Sequence, residues 1–401
     1  MKEIVRKLIS AVPYSFDSNQ VTLILKNLSG SNTFALYKFK PRDGLKIKIV
    51  WYSKSLKFIR QIIKSRVIIS THGPIVRPRG SFHIELWHGF PLKAMGLLDK
   101  GTAKKKKKIE VSRYKLIDYC VSYSGLFNVL MNACWGIKGG KYYILGAPRN
   151  DFLFKSDGRA NIRKIKPEIP ENSRILFYLP TFRQGYHDNP ESSFSPISIL
   201  RGFFNLRRLE DFLEQNNLVL VMKLHPFEEL SLKVCNWRVE KPNSRVIFIT
   251  NNDLLTHNMD LYEFLNAADL LITDYSSVYF DFLLLKRPAM FFAPDIQEYR
   301  ENRGFLLEPF DFWAPGPKVC NQKEFEKEIV KLLSDDDYYS FQRKTIRDIV
   351  HTYKDGNSSR RVWNLVKMIL TRRHKQTLSR WILLKQEEKG QNEDSGNLRH
   401  L

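Results

Sequence analysis

Five short clusters in this chain carry residue types suited to moving a proton or holding a phosphate, and each follows an apolar run. In Glu85-Leu86-Trp87-His88-Gly89-Phe90-Pro91-Leu92-Lys93 a histidine stands beside a glycine where an apolar approach turns. An imidazole titrating near about pH 6.5 can take a proton from a hydroxyl at neutral pH, although a simply packed or solvated His88 is the ordinary alternative. In Lys223-Leu224-His225-Pro226 an ammonium and an imidazole close the run Leu218 to Leu224, where they could stabilise charge on a departing phosphate. The stretch Asp269 to Asp281 reads as an apolar strand, an acidic turn at Asp274, then Ser276 and Ser277 opening a helix. Free N–H groups and the positive dipole end attract phosphate there, and Ser276 would serve equally as a plain N-cap. The remaining two, Tyr178 to Arg183 and Gly146 to Asp151, set Arg183 and Arg149 just past a strand, where a guanidinium fork matches phosphate oxygens.

The elements that must position these groups follow a βα rhythm. Ile47 to Tyr52 predicts a strand, Ser55 to Ser65 an amphipathic stretch and Val67 to Ser70 a second strand, which together favour a parallel sheet. Tyr119 to Ser122, Gly125 to Trp135 and Tyr142 to Leu145 repeat strand, helix, strand. The polar, proline-bearing stretch Asp157 to Ser173 suits a linker. A second series follows, with strands at Ile175 to Leu179, Leu218 to Leu224, Val246 to Ile249, Leu270 to Thr273 and Ala289 to Phe292. Its helices are expected at Leu206 to Gln215, Leu261 to Ala267 and Ser277 to Leu284, and two more at Tyr338 to Tyr353 and Asn357 to Arg373. The expected plan is an α/β domain over 1–165, a second over 166–350, a C-terminal helix over 351–373 and a frayed tail over 374–401. All five clusters then fall at carboxyl ends of strands, where doubly wound sheets bind ligands.

Composition sets the frame. At 401 residues the chain has length for two to three cores of about 150 residues each, and 43% hydrophobic with 13% aromatic residues is ample for packed interiors. A formal charge of +23, from 65 Lys+Arg against 42 Asp+Glu, calls for an anionic partner: nucleic acid, anionic lipid or phosphorylated substrate. Cys120, Cys134, Cys235 and Cys320 have no metal-ligand spacing and are expected to be reduced thiols. No apolar run approaches the ~20 residues that cross a bilayer, and Met1 to Ser10 lacks the apolar core of a signal peptide. The expectation is a cytoplasmic protein that meets a membrane only from its surface.

The clusters together resemble the CDP-glycerol glycerophosphotransferases of teichoic acid and capsule synthesis. The likeness rests on Trp87 to Lys93, Gly146 to Asp151, Pro180 to Arg183, the pair His225 and Pro226, and Ile272 to Ser277. It continues through Lys286 to Phe292, Glu298 to Phe305, Ala314 to Pro317 and Asp355 to Ser359, covering residues 45 to 365 in the family's order. It implies a GT-B-like fold: two Rossmann-like doubly wound domains facing a central cleft, the first on the acceptor side and the second binding the CDP-alcohol. It implies that His88 is the general base on the acceptor hydroxyl and that His225 helps to hold the donor pyrophosphate. Ser276, Ser277, Asp274, Arg183 and Lys223 would form the phosphate site, and Trp87, Gly89, Pro91, Lys93, Arg149 and Asp151 would contact substrate. The implied reaction is attack on the phosphorus bearing the polyol, with CMP leaving, helped by positioning and charge stabilisation. Phe90 and Ala147 depart from the usual pattern, at positions where acceptor shape would be altered.

CDP-ribitol is the alternative donor, and the implied acceptor is a polyprenyl-linked glycan or a growing phosphopolymer. No cofactor is expected beyond Mg²⁺ carried by the donor pyrophosphate, and no metal-ligand cluster stands out. The run Lys104, Lys105, Lys106, Lys107 and Lys108 would dock on an anionic membrane, at about 1 kcal/mol for each basic residue, or form a solvated loop. The enzyme would then be peripheral on the cytoplasmic face of the cell membrane. Nucleic-acid binding finds no helix-turn-helix, RNP-type strand or zinc-finger pattern to support it. A nucleotide-sugar glycosyltransferase on the same scaffold remains the other enzymatic reading, since fold does not fix chemistry.

Overall fold

The computed structural model describes residues 19–53, 55–73, 78–100, 102–181, 204–224, 229 and 244–371. The first sheet holds β1 (Gln20–Leu25), β2 (Lys46–Trp51), β3 (Val67–Ser70), β4 (Phe82–Glu85), β5 (Tyr119–Ser122) and β6 (Tyr142–Ile144). The second holds β7 (Arg174–Tyr178), β8 (Leu218–Met222), β9 (Val246–Phe248), β10 (Leu270–Thr273), β11 (Ala289–Phe292) and β12 (Lys318–Val319). Their orders are β2-β1-β3-β4-β5-β6 and β12-β11-β10-β7-β8-β9, with every pairing parallel.

Parallel strands covered by helices on both faces read as continuous apolar runs, and β8 (LVLVM) and β10 (LLIT) are buried throughout. The edge strand β2 instead turns Lys46 and Lys48 outward, charges that discourage another strand from pairing there. Each order reverses once. The first sheet splits between β1 and β3 and the second between β7 and β10, and crevices open at the carboxyl ends of those strands.

Two stretches differ from their sequence reading. The segment expected to be a linker contains the helix Gly158–Ile165, whose start is capped by Asp157 accepting from the Ala160 N–H and whose Ile162 and Ile165 are buried. The lysine run opens the helix Lys104–Tyr114. The strand β1 and the helix Asn32–Lys38 lie ahead of Lys46, where the βα reading began.

The helix Ser340–Val350 leaves the second sheet, and a last helix over residues 358–371 returns to the first. There Val362, Trp363, Val366 and Ile369 pack with Val21, Leu23, Val67, Ile69, Ile84 and Val121. The Trp363 indole also donates to the Leu36 carbonyl at 3.0 Å. Asp151 holds the start of this helix, its two oxygens accepting from the N–H groups of Ser358 and Ser359, both at 2.8 Å. Gly146, at φ +78°, leaves room for the Ser358 hydroxyl, which an added Cβ would meet at 2.4 Å. The clusters at Gly146 to Asp151 and Asp355 to Ser359 are therefore two sides of one helix dock.

Truncating Trp363 to alanine removes a buried ring from the seam between helix and sheet. The expected loss is about 3–5 kcal/mol, read as a lowered midpoint in denaturant unfolding.

Candidate active site

Three loops meet at the crevice of the first sheet: Lys26 follows β1, Thr71 and His72 follow β3, and Trp87 and His88 follow β4. His88 Nδ1 lies 2.7 Å from the Thr71 carbonyl oxygen. A carbonyl only accepts, so Nδ1 carries the proton and the Nε2 lone pair is left to act as a base. The His88 ring lies flat against His72, at 4.3 Å and 5°, and meets Trp87 at 4.3 Å and 34°. Burial pushes the His88 pKa down to about 4, the Thr71 bond works against this, and the charges of Arg149, Lys26 and Lys93 lower it further. The imidazole is neutral at physiological pH.

The turn carrying this base is strained. Trp87 has φ +56°, a left-handed conformation that a bulky side chain rarely adopts and that costs on the order of 1–3 kcal/mol. Its N–H donates to Glu85 Oε1 at 3.1 Å, and its carbonyl accepts from Asn32 Nδ2 at 2.9 Å. Its ring is wedged against Tyr114 and Trp135. Glu85 is fully buried; burial raises its pKa to about 7, while the Ser70 hydroxyl, donating at 2.7 Å, favours the carboxylate.

Across the cleft, at the crevice between β7 and β10, the buried Asp274 accepts from the Thr181 N–H with both oxygens, at 2.9 and 3.0 Å, and also from the Tyr275 N–H. Asp274 therefore shapes the turn. Ser276 and Ser277 are half-buried and make no side-chain hydrogen bond among the described residues. Gly89, at φ +147°, brings the two domains together, since a Cβ there would meet the Ser277 hydroxyl at 2.4 Å. Lys93 reaches over to the Thr181 hydroxyl at 3.1 Å. Its neighbours pair with the second domain, Ala94 N–H to the Gly304 carbonyl at 3.0 Å and Leu306 N–H to the Leu92 carbonyl at 2.8 Å. Pro91 is buried within this joint.

Several expected substrate ligands are engaged by protein. Arg149 is 4% exposed, and its guanidinium bonds Asp281 through Nε at 3.0 Å and through Nη2, while Nη1 donates to the carbonyls of Gly30 at 2.9 Å and His88 at 3.0 Å. Asp281 also accepts from Tyr262 at 2.7 Å and Asn150 at 2.9 Å. Arg149 thus ties the loop of His88 to the second domain. Asp151 is a helix dock, as described. The buried Lys223 ammonium pairs with Glu229 at 2.6 Å and the Leu224 carbonyl at 2.7 Å; burial lowers its pKa and Glu229 offsets that. Phe90 and Ala147 are buried, and Phe90 packs on Phe280 of the second domain at 5.0 Å between ring centres. Phe90 therefore takes part in packing between the domains. Arg183 and His225 lie outside the described residues.

Lys26 and His72 escaped the sequence reading, while Glu85 and Asp281 bounded two of its clusters without being given a role. His72 had the same signal as His88, a histidine and glycine just past an apolar strand.

Two doubly wound domains whose crevices share one cleft define a GT-B-like fold. Residues 13–368 match the family described as CDP-glycerol:poly(glycerophosphate) glycerophosphotransferase, and the chain belongs to it. It is 29% identical over 328 residues, 79% of this chain and 76% of the relative, to the teichoic acid poly(glycerol phosphate) polymerase of Bacillus spizizenii. It is 30% identical over 236 residues to the teichoic acid ribitol-phosphate primase of the same organism, covering 57% of this chain and 53% of that one. The solved structure of the wall teichoic acid polymerase TagF superposes with a TM-score of 0.73 at 21% identity, covering 92% of this chain and 93% of that one.

Replacing Arg149 by methionine strands the buried Asp281 carboxylate. The variant is expected to lose about 3–5 kcal/mol in denaturant unfolding, and adding Asp281→Leu should restore much of it, because a matched apolar pair leaves no buried charge.

Proposed function

We propose that this enzyme transfers glycerol phosphate from CDP-glycerol to a hydroxyl of a lipid-linked glycan or growing phosphopolymer, releasing CMP, in teichoic acid or related capsule assembly. The observation that carries this reading is the His88 tautomer: a neutral ring with its Nε2 lone pair turned loose at a cleft whose other wall holds Ser276 and Ser277. The acceptor hydroxyl gives its proton to Nε2 as its oxygen attacks the polyol-bearing phosphorus. The bond from that phosphorus to the CMP oxygen breaks, and CMP leaves with the electron pair. Lys26, Lys93 and Arg149 supply a positive field around the reacting phosphate, worth most in a site from which water is excluded. Ser276 and Ser277 offer hydroxyls to the donor phosphates, with His225, Arg183 and Lys223 assigned to the pyrophosphate side. Any Mg²⁺ would come chelated by the pyrophosphate itself.

CDP-ribitol is a second reading for the donor, supported by the likeness to a ribitol-phosphate primase. CMP release from CDP-glycerol and CDP-ribitol with a lipid-linked acceptor decides between them. His88→Ala should reduce the preferred reaction by about 10²–10⁴-fold. Turnover of a UDP- or GDP-sugar with neither CDP-alcohol used would replace the reading with a glycosyltransferase.

The pH profile gives a further check. A base works only when unprotonated, so a folded-state pKa lowered to about 4 keeps His88 competent through neutrality, and activity is lost as pH falls through that value. The acid limb of kcat/KM is expected near pH 4, well below that of an ordinary imidazole at about 6.5. A limb at the ordinary position would remove His88 as the titrating base.

We further propose a peripheral position on the cytoplasmic face of the membrane. Among the described residues no helix is long and apolar enough to cross a membrane. The helix Lys104–Tyr114 starts with lysines at the positive end of its dipole, with no side-chain cap and no acid in its first turn. Such crowding costs about 0.3–1 kcal/mol per charge and is relieved by an anionic surface. Lys104, Lys105 and Lys108 are exposed, and Leu97, Leu98 and Ile109 stand exposed beside them, as suits an interfacial element. Charge reversal at these three lysines should abolish sedimentation with phosphatidylglycerol vesicles while leaving the fold unchanged by circular dichroism. Retained binding would place the contact elsewhere.

A further inference from the structure

His72 stands at the centre of the first crevice, yet the proton transfer to His88 does not require it. Its ring lies face to face with His88, centres 4.3 Å apart and planes within 5°. One residue orients both rings. The Thr71 carbonyl accepts from His88 Nδ1 at 2.7 Å, and the Thr71 hydroxyl lies 2.7 Å from His72 Nδ1.

The hydroxyl's surroundings fix the second tautomer. Thr71 is buried, and its hydroxyl has no other partner among the described residues. If His72 Nδ1 donated to that oxygen, the hydroxyl proton would be buried without an acceptor, an avoidable cost. The hydroxyl therefore donates to Nδ1, and a neutral His72 carries its own proton on Nε2. Burial, reinforced by His88, Lys26 and Arg149, keeps this ring neutral across the working range of pH. The two parallel rings thus have opposite capacities: His88 Nε2 accepts and His72 Nε2 donates. Neither nitrogen has a hydrogen-bond partner among the described residues.

We propose that the His72–His88 pair reads two oxygens on adjacent carbons of the acceptor, His88 taking the proton of the attacking hydroxyl and His72 donating to the oxygen beside it. The ligand class is a vicinal diol, as at the end of a polyol or on a sugar ring. Both rings belong to loops of the first sheet, while the hydroxyls assigned to the donor phosphate, on Ser276 and Ser277, belong to the second. His72 makes and breaks no covalent bond. An acceptor lacking the second oxygen would leave its N–H unpaired in a closed cleft, and discrimination follows from that loss. This inference rests on His88 being the base.

The test uses the full chain, CDP-glycerol and two short-lipid acceptors. One ends in glycerol phosphate, with vicinal hydroxyls, and the other in 1,3-propanediol phosphate, which lacks the middle hydroxyl. Wild type should favour the diol by about tenfold in kcat/KM from CMP release, the worth of one neutral hydrogen bond. His72→Phe keeps a stacking ring without the N–H and should bring kcat/KM for the diol and the deoxy acceptor to within about twofold of each other. His72→Gln, which regains an N–H, should recover part of the preference. Circular dichroism and the denaturant midpoint report that the variants are folded.

Equal losses on both acceptors in His72→Phe would overturn the proposal, since His72 would then serve the base or the donor. So would a wild type indifferent to the middle hydroxyl. If CDP-glycerol fails but CDP-ribitol drives transfer with the diol preference intact, the donor assignment falls while the role of His72 stands.

Discussion

A buried guanidinium that must be fully partnered is the constraint on which the rest of this structure depends. Arg149 sits where the two domains touch, and its donors reach Asp281 in one and the carbonyls of Gly30 and His88 in the other. Such a charge is tolerated only when every neighbour is in place, so the loop bearing the base is defined jointly by both domains. Asp281 spreads the same requirement to Tyr262 and Asn150. Asp260 adds a parallel tie, accepting from the N–H groups of Gly30 and Ser31 in the loop after β1. His88 and the wall bearing Ser276 and Ser277 are thereby registered against each other before any substrate binds, which reduces what binding must organise.

The strain at Trp87 belongs to the same design. A left-handed tryptophan would relax if it were free, and Glu85, Asn32 and the flanking aromatic rings hold it. What the turn achieves is a histidine whose two nitrogens have different fates. Nδ1 is anchored to backbone within the protein, and Nε2 has no hydrogen-bond partner among the described residues, so the tautomer is set by the fold and needs no substrate to select it.

How far the sequence carries can be judged residue by residue. Buried parallel strands announce themselves as apolar runs, so β3, β5, β7, β8, β10 and β11 were legible, as were the polar clusters past β4, β6, β7, β8 and β10. The nature of each polar group was legible, but its partner was not. Arg149, Asp151 and Lys223 have the chemistry of phosphate-site residues, yet they meet Asp281, the start of the last helix and Glu229, contacts that no local pattern encodes. Phe90 was singled out as a departure from the family pattern, and its packing on Phe280 of the other domain was not legible from that. His72 could have been found, since the rule that singled out His88 applies to it equally.

The return of the last helix to the first sheet sets an order on synthesis at the ribosome. Val21, Leu23, Val67 and Ile84 find their cover only when residues 358–371 have emerged, after the whole second domain has been made. Of these two domains the one translated earlier is therefore the later to be completed, and until then it presents an uncovered apolar sheet face that chaperones would have reason to hold.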